Sequence, residues 1–182
     1  LRYLKAGHWT VMKLSKEMPN AKTDTNNKGA FATDFIGGNY DYPDGDYATR
    51  ERIIQAHKDY QQGLMWFLAN DPRVPQAVHD EMQQWGLPKD EFTDNGGWPH
   101  QLYIREARRM ISDYVMTEHN CTGQRTVDDA ISLAAYTMDS HHMQRYVKDG
   151  RVLNEGDVEV GGFEPYPISY RSIVPRKGDC TN

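Results

Sequence analysis

Val147-Lys148-Asp149-Gly150-Arg151-Val152 places an Asp-Gly pair between two β-forming flanks. Asp-Gly at the centre of such a run favours a tight antiparallel hairpin, because both turn residues must accept positive φ. The residues upstream are ambiguous. Ile131, Ala135, Met138, His142 and Tyr146 recur at helical spacing, so residues 132–147 fit a helix as well as a strand. The turn behind them decides for the hairpin, with residues 151–160 as the return strand and 166–174 as a third. The C-terminal third therefore reads as a small antiparallel sheet.

Ahead of it the pattern is helical. From 47 to 69, Ile53, His57, Tyr60, Leu64, Phe67 and Leu68 share one face at spacings of three and four, the mark of an amphipathic helix. Asp46 or Thr49 can cap its start, and Asn70-Asp71-Pro72 stops it. A second helix is expected over 75–85, with Val78, Met82 and Trp85 on one face and Gly86 as a left-handed C-terminal cap. A third is expected over 103–118, its apolar face made of Ile104, Ala107, Ile111, Tyr114 and Val115. Thr126 is expected to cap a turn, with Asp129 three residues on. Residues 11–14 suit a short strand. Asn, Asp, Gly and Pro cluster over 23–29 and 37–45, where turns are expected.

The expected fold class is α+β: three main helices and a small antiparallel sheet. It is organised as one domain, with an extended arm and loop over 1–46, mainly helix over 47–131 and mainly strand over 132–182.

Composition narrows the function. The chain has 182 residues and a net charge of -5, without a basic stripe interleaved with aromatics, which argues against nucleic-acid binding. No apolar run approaches the ~20 residues of a membrane span. Two cysteines, Cys121 and Cys180, do not make a disulfide framework. The histidines show no metal-ligand spacing, so no metal is expected. No G-x-G and no G-x-x-x-x-G-K occurs, which leaves no Rossmann unit and no phosphate loop in the sequence.

Several strings are nonetheless distinctive. They include Asp34-Phe35-Ile36-Gly37-Gly38-Asn39-Tyr40-Asp41-Tyr42-Pro43, Phe67-Leu68-Ala69-Asn70-Asp71-Pro72-Arg73-Val74-Pro75, Asp139-Ser140-His141-His142 and Pro167-Ile168-Ser169-Tyr170-Arg171-Ser172. In this order they resemble a bacterial family of FAD-dependent oxidoreductases, some of whose members carry a xanthan lyase label. The resemblance covers nearly the whole chain. It implies the internal, substrate-side region of a larger flavoenzyme, with FAD bound in the parent by segments on either side. This chain alone is then expected to hold no FAD and to be inactive. Its partners would be those flanking segments and a small-molecule or carbohydrate substrate. A carbohydrate-active lyase and a non-catalytic interaction domain are the alternatives.

Candidate residues follow. His141, His142 and Arg145 form the densest polar cluster; an imidazole near neutral pH suits acid–base work, and an arginine fork suits a carboxylate or hydroxyl-rich substrate. In a strand His141 and His142 would face opposite sides. The resemblance sets the strand carrying Tyr170 and Arg171 beside the flavin domain, which makes these two candidates for the wall of the active site. Arg105, Arg108 and Arg109 would crowd a helix N-terminus, where positive charge is unfavourable unless an anion such as a cofactor phosphate is near. The aromatic loop 39–43 suits either closure over a substrate or plain packing.

Overall fold

The computed structural model describes residues 17–23, 32–162 and 164–180. The strand expected at 11–14 and residues 24–29 of the first loop lie outside them. The chain divides into two units, Leu1–Ala107 and Arg108–Asn182.

The first unit opens with β1 (Glu17–Met18) and β2 (Lys22–Thr23), joined through a 3-10 turn over Pro19–Ala21. Its centre is α1 (Tyr47–Asn70). Asp46 caps the helix by accepting a hydrogen bond from the Thr49 backbone N–H at 2.7 Å, which satisfies one of the donors a helix start leaves open. After the stop at Asp71-Pro72 the chain reverses into α2 (Gln76–Met82). Leu68, Val74, Val78 and Met82 form the buried core between the helices, with Leu64, Met65 and Phe67 packed against it. Burying one such side chain contributes roughly 1.5–3 kcal/mol. The second helix is shorter than the spacing predicts. It ends at Gln83 in right-handed geometry, and Gly86 does not adopt positive φ.

The aromatic loop is a packed loop. Arg50 donates from Nε to the Tyr42 carbonyl at 3.0 Å and from Nη2 to the Pro43 carbonyl at 2.7 Å. Phe35 stacks on Tyr60 with centroids 4.8 Å apart and meets the buried His57 edge-on. Tyr60 Oη donates to the Ala32 carbonyl at 2.9 Å. The loop is thereby laid along α1.

Residues 101–117 carry no helix, which corrects the third helix expected over 103–118. Arg105 has φ 63°, in the left-handed region, and one such residue breaks the helical hydrogen-bond run. Two long-range bonds hold it there. Arg105 Nε donates to the buried Asp34 carboxylate at 3.0 Å, and Asn39 Nδ2 donates to the Ile104 carbonyl at 2.8 Å. These ties override the local apolar period, and Ile111 and Val115 end up exposed. The third helix is instead the short α3 (Glu118–Cys121).

The second unit is dominated by a long β-ribbon. Antiparallel ladders nest about the Asp149-Gly150 turn. The innermost joins β5 (Gln144–Lys148) to β6 (Arg151–Glu155), the next joins β4 (Met138–Asp139) to β7 (Glu159–Val160), and the outermost joins β3 (Ala130–Ala134) to β8 (Tyr166–Ser169). Asp149 and Gly150 both take positive φ, 50° and 70°, as the primed hairpin turn requires. The hairpin is therefore present and the fold is α+β, without a Rossmann unit among the described residues. The third strand is shorter than expected: it stops at Ser169, where a 3-10 turn over Tyr170–Ser172 begins. It pairs with residues 130–134.

Where the ribbon meets α3, backbones touch closely. A Cβ added to Gly162 (φ 72°) would lie 2.2 Å from the Tyr136 carbonyl. Gly162 donates its N–H to the Cys121 carbonyl at 2.9 Å. Only glycine permits both the conformation and the approach.

Candidate functional site

At the base of the ribbon, the pair Ala130–Ser169 brings Asp129 across from Tyr170 and Arg171. Asp129 Oδ2 accepts from the buried Ser169 hydroxyl at 2.8 Å, from the Arg171 backbone N–H at 2.9 Å and from Arg171 Nε at 2.9 Å. Oδ1 accepts from Arg171 Nη2 at 3.1 Å, and the same nitrogen donates to Asp128 at 2.5 Å. The Arg171 side chain, foremost among these donors, holds the Asp129 carboxyl far below the ordinary carboxylate range. The same partners hold Arg171 firmly protonated. This junction fixes one guanidinium in place.

A second arginine stands beside it. The Arg125 guanidinium lies 4.9 Å from the Tyr114 ring centroid and that of Arg171 lies 5.5 Å from the same ring. Such geometry is the cation–π arrangement. Buried Asn120 organises the surroundings. Its Nδ2 donates to Tyr114 Oη at 2.8 Å and to the Arg125 carbonyl at 3.2 Å, while its Oδ1 accepts from the Thr117 N–H at 3.0 Å. The Arg125 N–H donates to the His119 carbonyl at 2.9 Å. Arg176 Nε pairs with Asp113 at 3.0 Å, and its N–H donates to the Ile111 carbonyl at 2.8 Å. Together Asp113, Tyr114, Arg125, Val127, Asp128 and Arg171 line a cleft of about 470 Å³, which Thr126 completes.

A family model described as FAD dependent oxidoreductase matches residues 2–182. The chain belongs to this family. Comparison with curated proteins and with solved structures returns no match. Membership of the FAD-dependent oxidoreductase family implies FAD in the parent proteins. The described residues do not fit its pyrophosphate, which needs a glycine turn feeding a helix N-terminus. The start of α1 is already occupied by the Asp46 carboxylate, and α2 follows Pro75 rather than glycine.

Arg105, Arg108 and Arg109 are not at a helix start. Arg105 is committed to Asp34 and lies 5.2 Å from the Tyr103 ring centroid, and Arg108 and Arg109 lie in the stretch without helix or strand that follows. Of the other expected residues, Arg171 lines the cleft. Tyr170, next to it, points its backbone N–H at the Asp129 carbonyl, and its side chain is half exposed.

His141, His142 and Arg145 lie further up the ribbon and none lines the cleft. His141 and His142 sit in the break between β4 and β5, not within a strand. His142 Nε2 is 3.8 Å from Asp157, and its Nδ1 is buried without a hydrogen-bond partner among the described residues. Arg145 Nε donates to Asn154 at 2.8 Å, and its Nη2 is likewise buried without one.

Spacing alone does not single out Tyr114, Arg125 or Asp128, and it gives Asp129 only a capping role at Thr126. The Asp129 carboxylate receives Ser169 and Arg171 instead. The adjacent Asp128-Asp129 pair was the available signal, since two neighbouring carboxylates call for a cation.

Proposed function

We propose that this chain forms the substrate-side portion of an FAD-dependent oxidoreductase, with the Tyr114–Arg125–Arg171 cleft facing the substrate. The observation that carries the reading is the family match over residues 2–182, set against described residues that offer no cradle for a dinucleotide phosphate. In a flavoenzyme the flavin supplies the redox chemistry, and the surrounding protein binds and orients the substrate. Arg171 is suited to orienting a substrate, because the Asp129 junction fixes its position and leaves the Tyr114 side facing the cleft. Tyr170 is its neighbour on the wall. His142, paired with Asp157 on the ribbon, and Arg145 are further polar groups that the flanking parts of the parent would have to meet to take part.

The ribbon supports an assembled enzyme. Ile131, Leu133, Tyr136, Met143 and Val147 are each more than half exposed. An isolated two-stranded ribbon is marginal in water and gains by being covered. The flavin-binding segments of the parent are the proposed cover.

The test is spectroscopic. Purified, this chain is expected to be colourless and to leave the fluorescence of added FAD unquenched, whereas the full-length parent is expected to be yellow. FAD retained in stoichiometric amount by the chain after dialysis would overturn the reading, as would a parent that binds no flavin.

A further inference from the structure

We infer that the cleft is a carboxylate-binding site in which Arg125 is the anion-binding residue. This deepens the reading of the cleft as substrate-facing and rests on it. Charge accounting supports it. Four charged side chains line the cleft: Asp113, Arg125, Asp128 and Arg171. Asp113 is paired with Arg176, and Asp128 is paired with Arg171, which also holds Asp129. Among the described residues Arg125 has no carboxylate partner; its guanidinium meets only the Tyr114 ring. With Asp129 and Arg176 counted, three carboxylates balance three guanidinia, and Arg125 is the one of the three guanidinia that no carboxylate meets directly, beside Arg171 on the same ring.

Its placement is fixed from below. Asn120, 1% exposed, ties both the Arg125 carbonyl and the Tyr114 hydroxyl, and the Arg125 N–H is tied to His119. The backbone is held and the guanidinium donors are left for a ligand. A guanidinium fork matches a carboxylate with two parallel hydrogen bonds. A volume of about 470 Å³ is the size of a single sugar acid or an aromatic acid. The ligand class is thus a small organic monocarboxylate, held by Arg125 with its body along the Tyr114 ring.

The experiment uses the full-length protein and titrates glucuronate and benzoate by calorimetry at low ionic strength, with glucuronamide and benzamide as uncharged matches. Binding of at least one acid in the millimolar range or tighter, with its amide failing to bind, is expected. Which acid binds separates a sugar acid from an aromatic one. R125Q should weaken that binding about ten- to a hundredfold, and R125K, which keeps the charge but not the fork, should fall between. Circular dichroism of each variant confirms folding, and Asp46→Asn, outside the cleft lining, serves as a second folded control. Equal binding of acid and amide, wild-type affinity in R125Q, or no acid bound would overturn the inference. Flavin content separates the two readings. A yellow protein that binds no acid defeats this inference alone, and a flavin-free protein with Arg125-dependent binding defeats the flavoenzyme reading alone.

Discussion

Arg171 closes a ring on Asp129: its backbone N–H and its side-chain Nε both donate to the same oxygen, Oδ2, each at 2.9 Å. A main-chain and a side-chain donor from one residue, joined by the Ser169 hydroxyl, define the position of the carboxylate. The two residues are 42 apart in sequence, so this contact ties the two ends of the ribbon together.

The junction makes stability depend on pH. Because the folded chain holds the Asp129 carboxyl well below its ordinary range, the unfolded chain takes up this proton at higher pH than the folded one. The stabilisation is therefore complete above about pH 4 and is lost as the pH falls further. Asp129→Asn is expected to melt below the wild type at neutral pH, with the gap narrowing under acid conditions. A gap that stays constant down to about pH 2 would show that the carboxylate charge contributes nothing.

Glycine substitutions should separate conformation from crowding. Gly123 and Gly162 both have positive φ, 74° and 72°, but a Cβ at Gly123 meets open space while one at Gly162 meets the Tyr136 backbone at 2.2 Å. Gly123→Ala is expected to cost about 1–2 kcal/mol from the left-handed backbone alone. Gly162→Ala adds overpacking of roughly 1–3 kcal/mol. Chemical denaturation ranks them, and equal losses would contradict the close approach.

Arg105 combines a strained backbone with an ion pair to a buried acid. Arg105→Ala keeps the strain and loses the pair; Arg105→Gly loses both. The glycine variant is expected to be the more stable of the two by about 1 kcal/mol. Both should fall below wild type, because the buried Asp34 carboxylate loses its ion pair with Arg105. An alanine variant as stable as the glycine one would mean that residue 105 leaves the left-handed region once its side chain is removed.

The N-terminal cap of α1 gives the simplest case. Asp46→Ala removes the acceptor for the Thr49 N–H and is expected to cost about 1 kcal/mol, with Asp46→Asn close to wild type. Thermal melts followed by circular dichroism would read the difference.

These residues also show what the sequence discloses. α1 was legible because Asp46, the apolar face through Leu68 and the Asp71-Pro72 stop agree with one another, and the core beneath it follows from the same face. The hairpin was legible from Asp149-Gly150, whose conformational demand is local. The stretch 103–118 was not. Its apolar period is real, but Asp34 lies 71 residues away and Asn39 lies 65 residues away, so no window on the sequence contains the groups that pull it out of a helix. The cleft was half legible: Arg171 stood out in a distinctive string, whereas Arg125 and Tyr114 meet only through Asn120 and the turn around it.

The breaks between the ladders have a consequence for how this chain tolerates changes in length. Residues 140–143 face 156–158 across the ribbon, so this break is unequal on its two arms. Within a ladder a single insertion would turn every following side chain to the other face. The break is out of step but not free of pairing: the Ser140 N–H donates to the Val158 carbonyl at 3.0 Å and the Met143 N–H to the Glu155 carbonyl at 2.7 Å. The place for a change in length is therefore the turn at Asp149-Gly150, beyond the last ladder, where added residues leave the pairings below it and the Asp129–Arg171 base in register.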